Sequence, residues 1–128
     1  MAAVPTDLLY SKTHEWVQIE GDAVRVGITD HAQDSLGDIT FVELPKLGTS
    51  VKKGGDAGVI ESVKAASDLF SPVTGEVVSL NDSLESAPEN INSDPYGSGW
   101  LYTVKFTDKS ELDSLMDYEA YEKYLETI

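Results

Sequence analysis

The segment Val59 to Pro72 reads Val-Ile-Glu-Ser-Val-Lys-Ala-Ala-Ser-Asp-Leu-Phe-Ser-Pro, and its one lysine, Lys64, has the setting most suggestive of chemistry. Apolar runs flank it, and Ala65 and Ala66 leave it uncrowded, as the active site of a modifying enzyme requires. Acylation would turn this cation into a neutral amide and make Lys64 the root of a swinging arm. A lysine in a turn is ordinarily a solvated charge, so its immediate spacing does not decide the matter. Other chemistries find less support. The chain has no cysteine, which removes disulfides, thiolate metal sites and cysteine nucleophiles together. His14 and His31 are its only histidines, which argues against a His/Cys zinc site. A Ser-His-Asp set could be assembled from either, but no Gly-x-Ser-x-Gly turn supports it. Gly54-Gly55 lies between apparent strands rather than ahead of a helix, so it is not a phosphate loop. His31, beside Asp30 and Asp34, reads as a surface histidine. His14, ahead of Glu15-Trp16, reads either as an ordinary satisfied side chain or as the lining of a groove.

The elements that must position these residues are mostly strands. Glu15 to Glu20 carries Trp16 beside alternating Val17 and Ile19. A Gly21-Asp22 turn returns the chain through Ala23 to Ile28, with Val24, Val26 and Ile28 on one face and Arg25 and Gly27 on the other. Thr29 reads as the N-cap of a short helix, Asp30 to Leu36, closed by Gly37. Ile39 to Leu44 is a strand ended by Pro45 and Gly48. Val51 starts another element, 52–56 is a turn, and Gly58 to Val63 and Ser67 to Ser71 are strands on either side of Lys64. Pro72 to Gly75 is a turn, with φ > 0 expected at Gly75, and Glu76 to Leu80 a strand. Asn81 to Ser93 reads as a loop with short helical turns, and 94–99 as turns. Trp100 to Phe106 alternates as a strand. Two short helices follow, Ser110 to Met116 and Tyr118 to Leu125, capped by Ser110 and Asp117, with Leu112, Leu115, Tyr118, Tyr121 and Leu125 on their apolar faces. Many short strands joined by Gly/Pro turns predict a mainly β fold, a sandwich or flattened barrel with peripheral helices.

At 128 residues the chain is one domain, 1–128, large enough to fold without a metal or disulfide. Twenty-three acidic residues against nine basic ones give a formal charge of −14. That makes nucleic acid and anionic membranes poor partners, and favours basic protein partners by steering. No apolar run approaches the roughly 20 residues of a membrane span. Met1 to Thr6 lacks the pattern of a signal peptide or an Arg-rich transit peptide. The expectation is a soluble protein, cytoplasmic if bacterial, or of the mitochondrial matrix if this is a eukaryotic mature form.

Glu61-Ser62-Val63-Lys64-Ala65-Ala66-Ser67-Asp68 resembles the lipoylation motif of the glycine cleavage system H proteins. The likeness continues, in order, through His14-Glu15-Trp16, Gly27 to Gln33, Leu36 to Ile39, Phe41 to Pro45, Ser71 to Val77 and Asn92 to Gly97, covering essentially Tyr10 to Leu125. Biotin carriers share the general fold, but their modified lysine typically lies between methionines, where this chain has Val63 and Ala65. Lipoyl domains of 2-oxo acid dehydrogenase complexes lack the His-Glu-Trp segment and the helical C-terminus. Gly54-Gly55-Asp56 departs from the family, which often has a charged residue after a single glycine.

The resemblance implies a flattened β-barrel or barrel-sandwich hybrid with Lys64 on a hairpin. It implies covalent lipoate on Lys64 and a non-catalytic, monomeric carrier. The arm would take an aminomethyl group from the pyridoxal-phosphate glycine decarboxylase (P protein) to the aminomethyltransferase (T protein). Dihydrolipoamide dehydrogenase (L protein) and a lipoate-attaching enzyme would be the other partners. Glu61 and Gly75 would serve recognition by the attaching enzyme, with Ala65 as hairpin context. A groove holding the loaded arm would use Glu15 and Asp68, with His14 as a neighbour. Two alternatives stay open: a related carrier that relays lipoyl groups to other proteins, and a stand-alone hydrolase or other enzyme.

Overall fold

A computed structural model describes residues 4–128. The expectation about Met1 to Thr6 therefore falls partly on residues 1–3, outside the described residues. The chain order is β1 (Leu9–Tyr10), β2 (Glu15–Glu20), β3 (Ala23–Ile28), α1 (Asp30–Leu36), β4 (Ile39–Glu43), β5 (Ser50–Val51), β6 (Asp56–Ser62), β7 (Ala66–Phe70) and β8 (Gly75–Leu80). A 3-10 helix (Asp82–Glu85), α2 (Asn90–Ser93), β9 (Tyr102–Phe106), a second 3-10 helix (Lys109–Ser114) and α3 (Tyr118–Glu126) complete it.

The strands form an antiparallel six-stranded sheet, β1-β2-β3-β9-β8-β5, and an antiparallel three-stranded sheet, β4-β6-β7. Val24 and Val26 of β3 face the same cluster as Val77 and Val104 of the large sheet and Val42, Ile60 and Leu69 of the small one. The two sheets therefore share one core without closing, as a barrel-sandwich hybrid does. Val24, Val26 and Ile28 are all buried, as their alternation predicts.

A second cluster covers the other face of the β2–β3 hairpin. Trp16 and Tyr10 are fully buried there with Tyr121 of α3, and the Tyr10 and Tyr121 rings stack at 4.6 Å. The Trp16 Nε1 donates to the Pro95 carbonyl at 2.9 Å. Burying one large aromatic removes roughly 150–250 Å² from water, worth on the order of 4–6 kcal/mol as an upper bound. The two ion pairs among the described residues, Arg25–Glu20 at 3.7 Å and Lys105–Asp22 at 3.8 Å, are solvated and contribute roughly 0–1 kcal/mol each. Packing of this aromatic layer, not surface charge, holds the helical C-terminus on the sheet.

Several expectations are corrected. Ile19 does not share the burial of Val17: it is 52% exposed, because β1 pairs only with Trp16 and Val17 and leaves the far end of β2 as a bare edge. The first of the two C-terminal helices is a 3-10 helix, and Asp108, not Ser110, caps it by accepting from the Ser110 N–H at 3.0 Å. It stops before Met116 because the Met116 N–H and C=O pair with Tyr10, both at 2.8 Å. Asp56, expected in a turn, begins β6 opposite Phe70. The strand expected from Trp100 starts at Tyr102, with Trp100 under the Arg25 guanidinium at 4.7 Å. The caps Thr29 and Asp117 are as expected, accepting from the Ala32 and Ala120 N–H groups.

Gly27 is where the aromatic layer meets the sheet. A Cβ there would sit 2.5 Å from three atoms of the Trp16 indole, which is itself fully buried and has no room to retreat. Gly27→Ala is expected to cost about 3 kcal/mol in urea unfolding. Unchanged stability would show that the ring can move aside.

Candidate functional site: a braced lysine hairpin and a buried carboxyl

Lys64 lies in the tight turn joining β6 to β7, just beyond the last strand pair, Glu61 with Ala66. Ser62 builds the turn. Its N–H donates to the Ala65 carbonyl at 2.8 Å, and its Oγ accepts from the Lys64 and Ala65 N–H groups at 3.2 Å each. Four backbone groups are thus satisfied locally, so the exposed tip keeps a defined shape. Val63, Lys64, Ala65 and Ala66 are all exposed, which leaves the ammonium open to a macromolecular partner.

The tip is also held from below. The Val63 N–H donates to the Asp38 carbonyl at 3.0 Å. The lysine stem lies over Gly37, the C-cap of α1 at φ 79°, where a Cβ would come 3.2 Å from the Lys64 Cε. A side chain at position 37 would be strained by its φ and would crowd the lysine.

Glu15 occupies a different environment. It begins β2, is 3% exposed, and borders a cavity of about 360 Å³ walled by Tyr10, Phe70, Pro72, Leu115 and Met116. Ser11 Oγ donates to its carboxylate at 2.6 Å, and Thr13 Oγ1 donates to the same oxygen. Burial pushes its pKa up to about 7, against the opposing pull of those two hydroxyls and the Phe70 backbone.

His14, Glu15 and Asp68 are not gathered around one cavity. Neither His14 nor Asp68 lines the space beside Glu15. Asp68 is exposed on β7 opposite Val59. His14 takes a left-handed φ of 70° and turns its ring away, its Nδ1 2.8 Å from the Tyr121 hydroxyl and its ring 4.7 Å from that of His31. Burial lowers its pKa, and the neighbouring His31 adds to the shift. His31 therefore belongs to this packed aromatic corner, not to an isolated surface position. Among the described residues no three His, Cys, Asp or Glu side chains come together as a metal site.

Glu61 is exposed on β6, and its carbonyl accepts from Thr40 Oγ1 at 3.2 Å. Gly75 corrects an expectation: its φ is not positive. It opens β8, and a Cβ there would come 2.1 Å from the Lys105 carbonyl oxygen of β9. The glycine is needed for close strand approach, not for turn geometry.

The cavity and the hydroxyl partners of Glu15 were not anticipated. The alternating Ser11-Lys12-Thr13-His14-Glu15 is a signal for the second, since it spaces two hydroxyls two and four residues before the acid. The cavity has no local signal, because its walls come from four separate segments.

The raised pKa of Glu15 gives stability a sign. The unfolded chain holds this carboxyl near 4.5 and the folded chain near 7, so between those values the folded state binds the extra proton. The group's contribution is fully present below pH 4.5 and is lost as pH rises through 7, by on the order of 3 kcal/mol. Glu15→Gln removes this titration. Urea unfolding from pH 5 to 8 is expected to show the wild type losing stability relative to the variant, and parallel profiles would show a freely solvated carboxyl.

The chain is similar to known proteins over nearly its whole length. The family described as Glycine cleavage H-protein matches residues 8–128. A glycine cleavage system H protein from Rubrobacter xylanophilus is 58% identical over 118 residues, covering 92% of this chain and 94% of its own. One from Escherichia coli is 54% identical over 127 residues, 98% of each chain. The crystal structure of a glycine cleavage system H protein from Mycobacterium marinum superposes with a TM-score of 0.85 at 39% identity, covering 97% of this chain and 98% of that one. With the match running through the lysine hairpin, the Glu15 cavity and the C-terminal helix alike, the chain belongs to the glycine cleavage H-protein family.

Proposed function

We propose that this protein is the lipoyl-carrying shuttle of a glycine cleavage system, a carrier and not an enzyme, with Lys64 as the attachment site. The observation that supports this best is the hairpin itself: an exposed ammonium on a turn that is rigid in its backbone and small in its neighbours. A lipoate-attaching enzyme needs the amine accessible and its surroundings reproducible, and Ser62 and Ala65 supply both. Glu61, exposed on the strand leading to Lys64, is positioned to be read by the same enzyme.

When attached, the lipoyl group supplies a dithiolane that opens to carry an aminomethyl unit. The residues fit an aliphatic arm with a cationic end. β7 runs from the lysine turn to Phe70 at the cavity wall, about 13 Å by strand rise, so the arm must cover that length to reach Glu15. Apolar walls would bury the chain of the arm. The Glu15 carboxylate would accept a charge-assisted hydrogen bond from an amine at roughly 1.5–3 kcal/mol. An ammonium nearby would also pull the Glu15 pKa back down, so docking would favour the ionised acid. Asp68, exposed along the same strand, would meet the arm on its way in. The P, T and L proteins are the partners this reading requires, and a tether keeps the arm at an effective concentration that can reach ~mM at each.

Incubation with lipoate ligase, ATP and lipoate is expected to add one lipoyl mass, on Lys64 alone by peptide mass spectrometry. The same mass on another lysine with Lys64 bare would overturn the assignment. Lys64→Arg should fold normally and carry nothing, because a guanidinium is not acylated. Glu61→Ala should slow attachment; Gly75→Ala is a poor probe of recognition, since it disturbs the β8–β9 contact first.

Retention of the aminomethyl group checks the cavity. Lipoylated wild-type, Glu15→Ala and Asp68→Ala proteins, loaded by P protein and glycine, would be followed without T protein. Loss is expected to be about tenfold faster in Glu15→Ala, as one charge-assisted hydrogen bond predicts, with a smaller effect in Asp68→Ala. Equal decay in all three would place the shielding elsewhere.

A further inference from the structure

The Asn92 to Gly97 segment does not line the Glu15 cavity, yet it grips α1 at both ends. At the start of α1, the Asp30 N–H donates to the Tyr96 hydroxyl at 2.9 Å. At its end, the Asn92 side chain makes three hydrogen bonds. Nδ2 donates to the Gly37 carbonyl and to Gln33 Oε1, both at 2.9 Å, and Oδ1 accepts from the Ile39 N–H at 2.9 Å. Only one orientation of the amide satisfies both backbone groups, so the contact is specific for asparagine at this length. These bonds straddle Asp38, whose carbonyl takes the Val63 N–H of the lysine turn, and they include Gly37, on which the Lys64 stem lies.

The corner 37–39 is therefore the seat of the lysine hairpin; Ile39 is buried in the core and pairs with Ser62, whereas Gly37 and Asp38 lie outside the strand ladder. Asp38 is exposed and Gly37 is in a conformation open to any glycine. The β4–β6 pairing breaks register between Ile39 and Phe41. One side chain, from a helix 53 positions further along the chain, ties down the Ile39 N–H beside this irregularity.

We propose that Asn92 is a positioning residue for Lys64: by clamping the Gly37 carbonyl and the Ile39 N–H it holds the corner on which the lysine turn rests, and so sets how the lysine is presented to the enzyme that acylates it. The inference rests on the reading of Lys64 as the acylated residue. Asn92 acts on approach and orientation, not on the acyl transfer, so its loss should weaken recognition of the turn and leave turnover once bound.

The test compares wild type, Asn92→Ala and Gln33→Ala, the last removing the Asn92–Gln33 bond and Gln33's own bond to Asp30 while leaving the Asn92 bonds to Gly37 and Ile39 in place. Steady-state attachment of lipoate by lipoate ligase gives kcat and KM for each protein. Amide hydrogen exchange reports Val63 against the core positions Val24 and Val104. Asn92→Ala is expected to raise KM about fivefold with kcat within about twofold, and to speed Val63 exchange about tenfold with the core amides unchanged. Gln33→Ala should match wild type in both. Unchanged Val63 exchange in Asn92→Ala, unchanged KM, or an equal loss of protection at Val24 and Val104 would each overturn the proposal, the last by showing a general loss of stability. If the wild type takes no lipoyl group at Lys64, the attachment reading falls instead, and Val63 exchange still shows whether Asn92 braces the turn.

Discussion

Trp16 lying over Gly27 is the contact on which the remaining architecture depends. A sheet hairpin in a small barrel needs only one buried face, and β3 already has one, in Val24, Val26 and Ile28. An indole on the opposite face obliges the chain to cover it. Tyr10, Tyr121 and the partly buried Tyr96, Trp100 and Leu125 do so, which fixes where the N-terminal strand and α3 must lie. The indole N–H then finds its acceptor in Pro95, which brings the 92–97 segment beside α1. From α1 the constraint passes to the corner under Lys64. An apolar contact far from the lysine thus decides how the lysine is held.

The two chemical features are kept apart by solvation. Lys64 is exposed on a turn satisfied by the Ser62 side chain and the Asp38 carbonyl, so its charge stays solvated at little cost. Glu15 is buried with two hydroxyl donors, and its pKa of about 7 leaves it ready to exist in either state near neutrality. A carboxyl in that condition is disfavoured as an anion, and a nearby cation would reverse the preference. The large acidic excess lies mostly on the surface and contributes little to the fold. Its consequence is for encounter, since a net charge of −14 biases approach toward basic surfaces.

The hairpins, the caps at Thr29 and Asp117, and the lysine turn were legible because each is written in neighbouring residues. Alternation over six positions marks β3, and a threonine followed by an acidic, helix-compatible run marks α1. The misread positions share a different cause. Ile19 alternates correctly but sits past the end of β1, so no strand covers it. The helix expected to reach Met116 stops because Tyr10, over a hundred positions earlier, takes the Met116 backbone into a bridge. Gly75 looked like a turn glycine because turns and close strand contacts both select glycine, and only the β9 carbonyl opposite it tells them apart.

By itself, the sequence determined the mainly β character, the hairpin around Lys64, and the family resemblance carried by its motifs, all of which depend on residues adjacent in the chain. Only the tertiary structure decided that Glu15 is buried beside a cavity while Asp68 is not, that His14 turns toward His31 and Tyr121, and that Asn92 braces the seat of the lysine. The Asn92 and Tyr121 contacts join groups 53 to 107 positions apart. Burial and hydrogen-bond partnership at such separations are set by how the two sheets and the aromatic layer pack, and local periodicity holds no record of that.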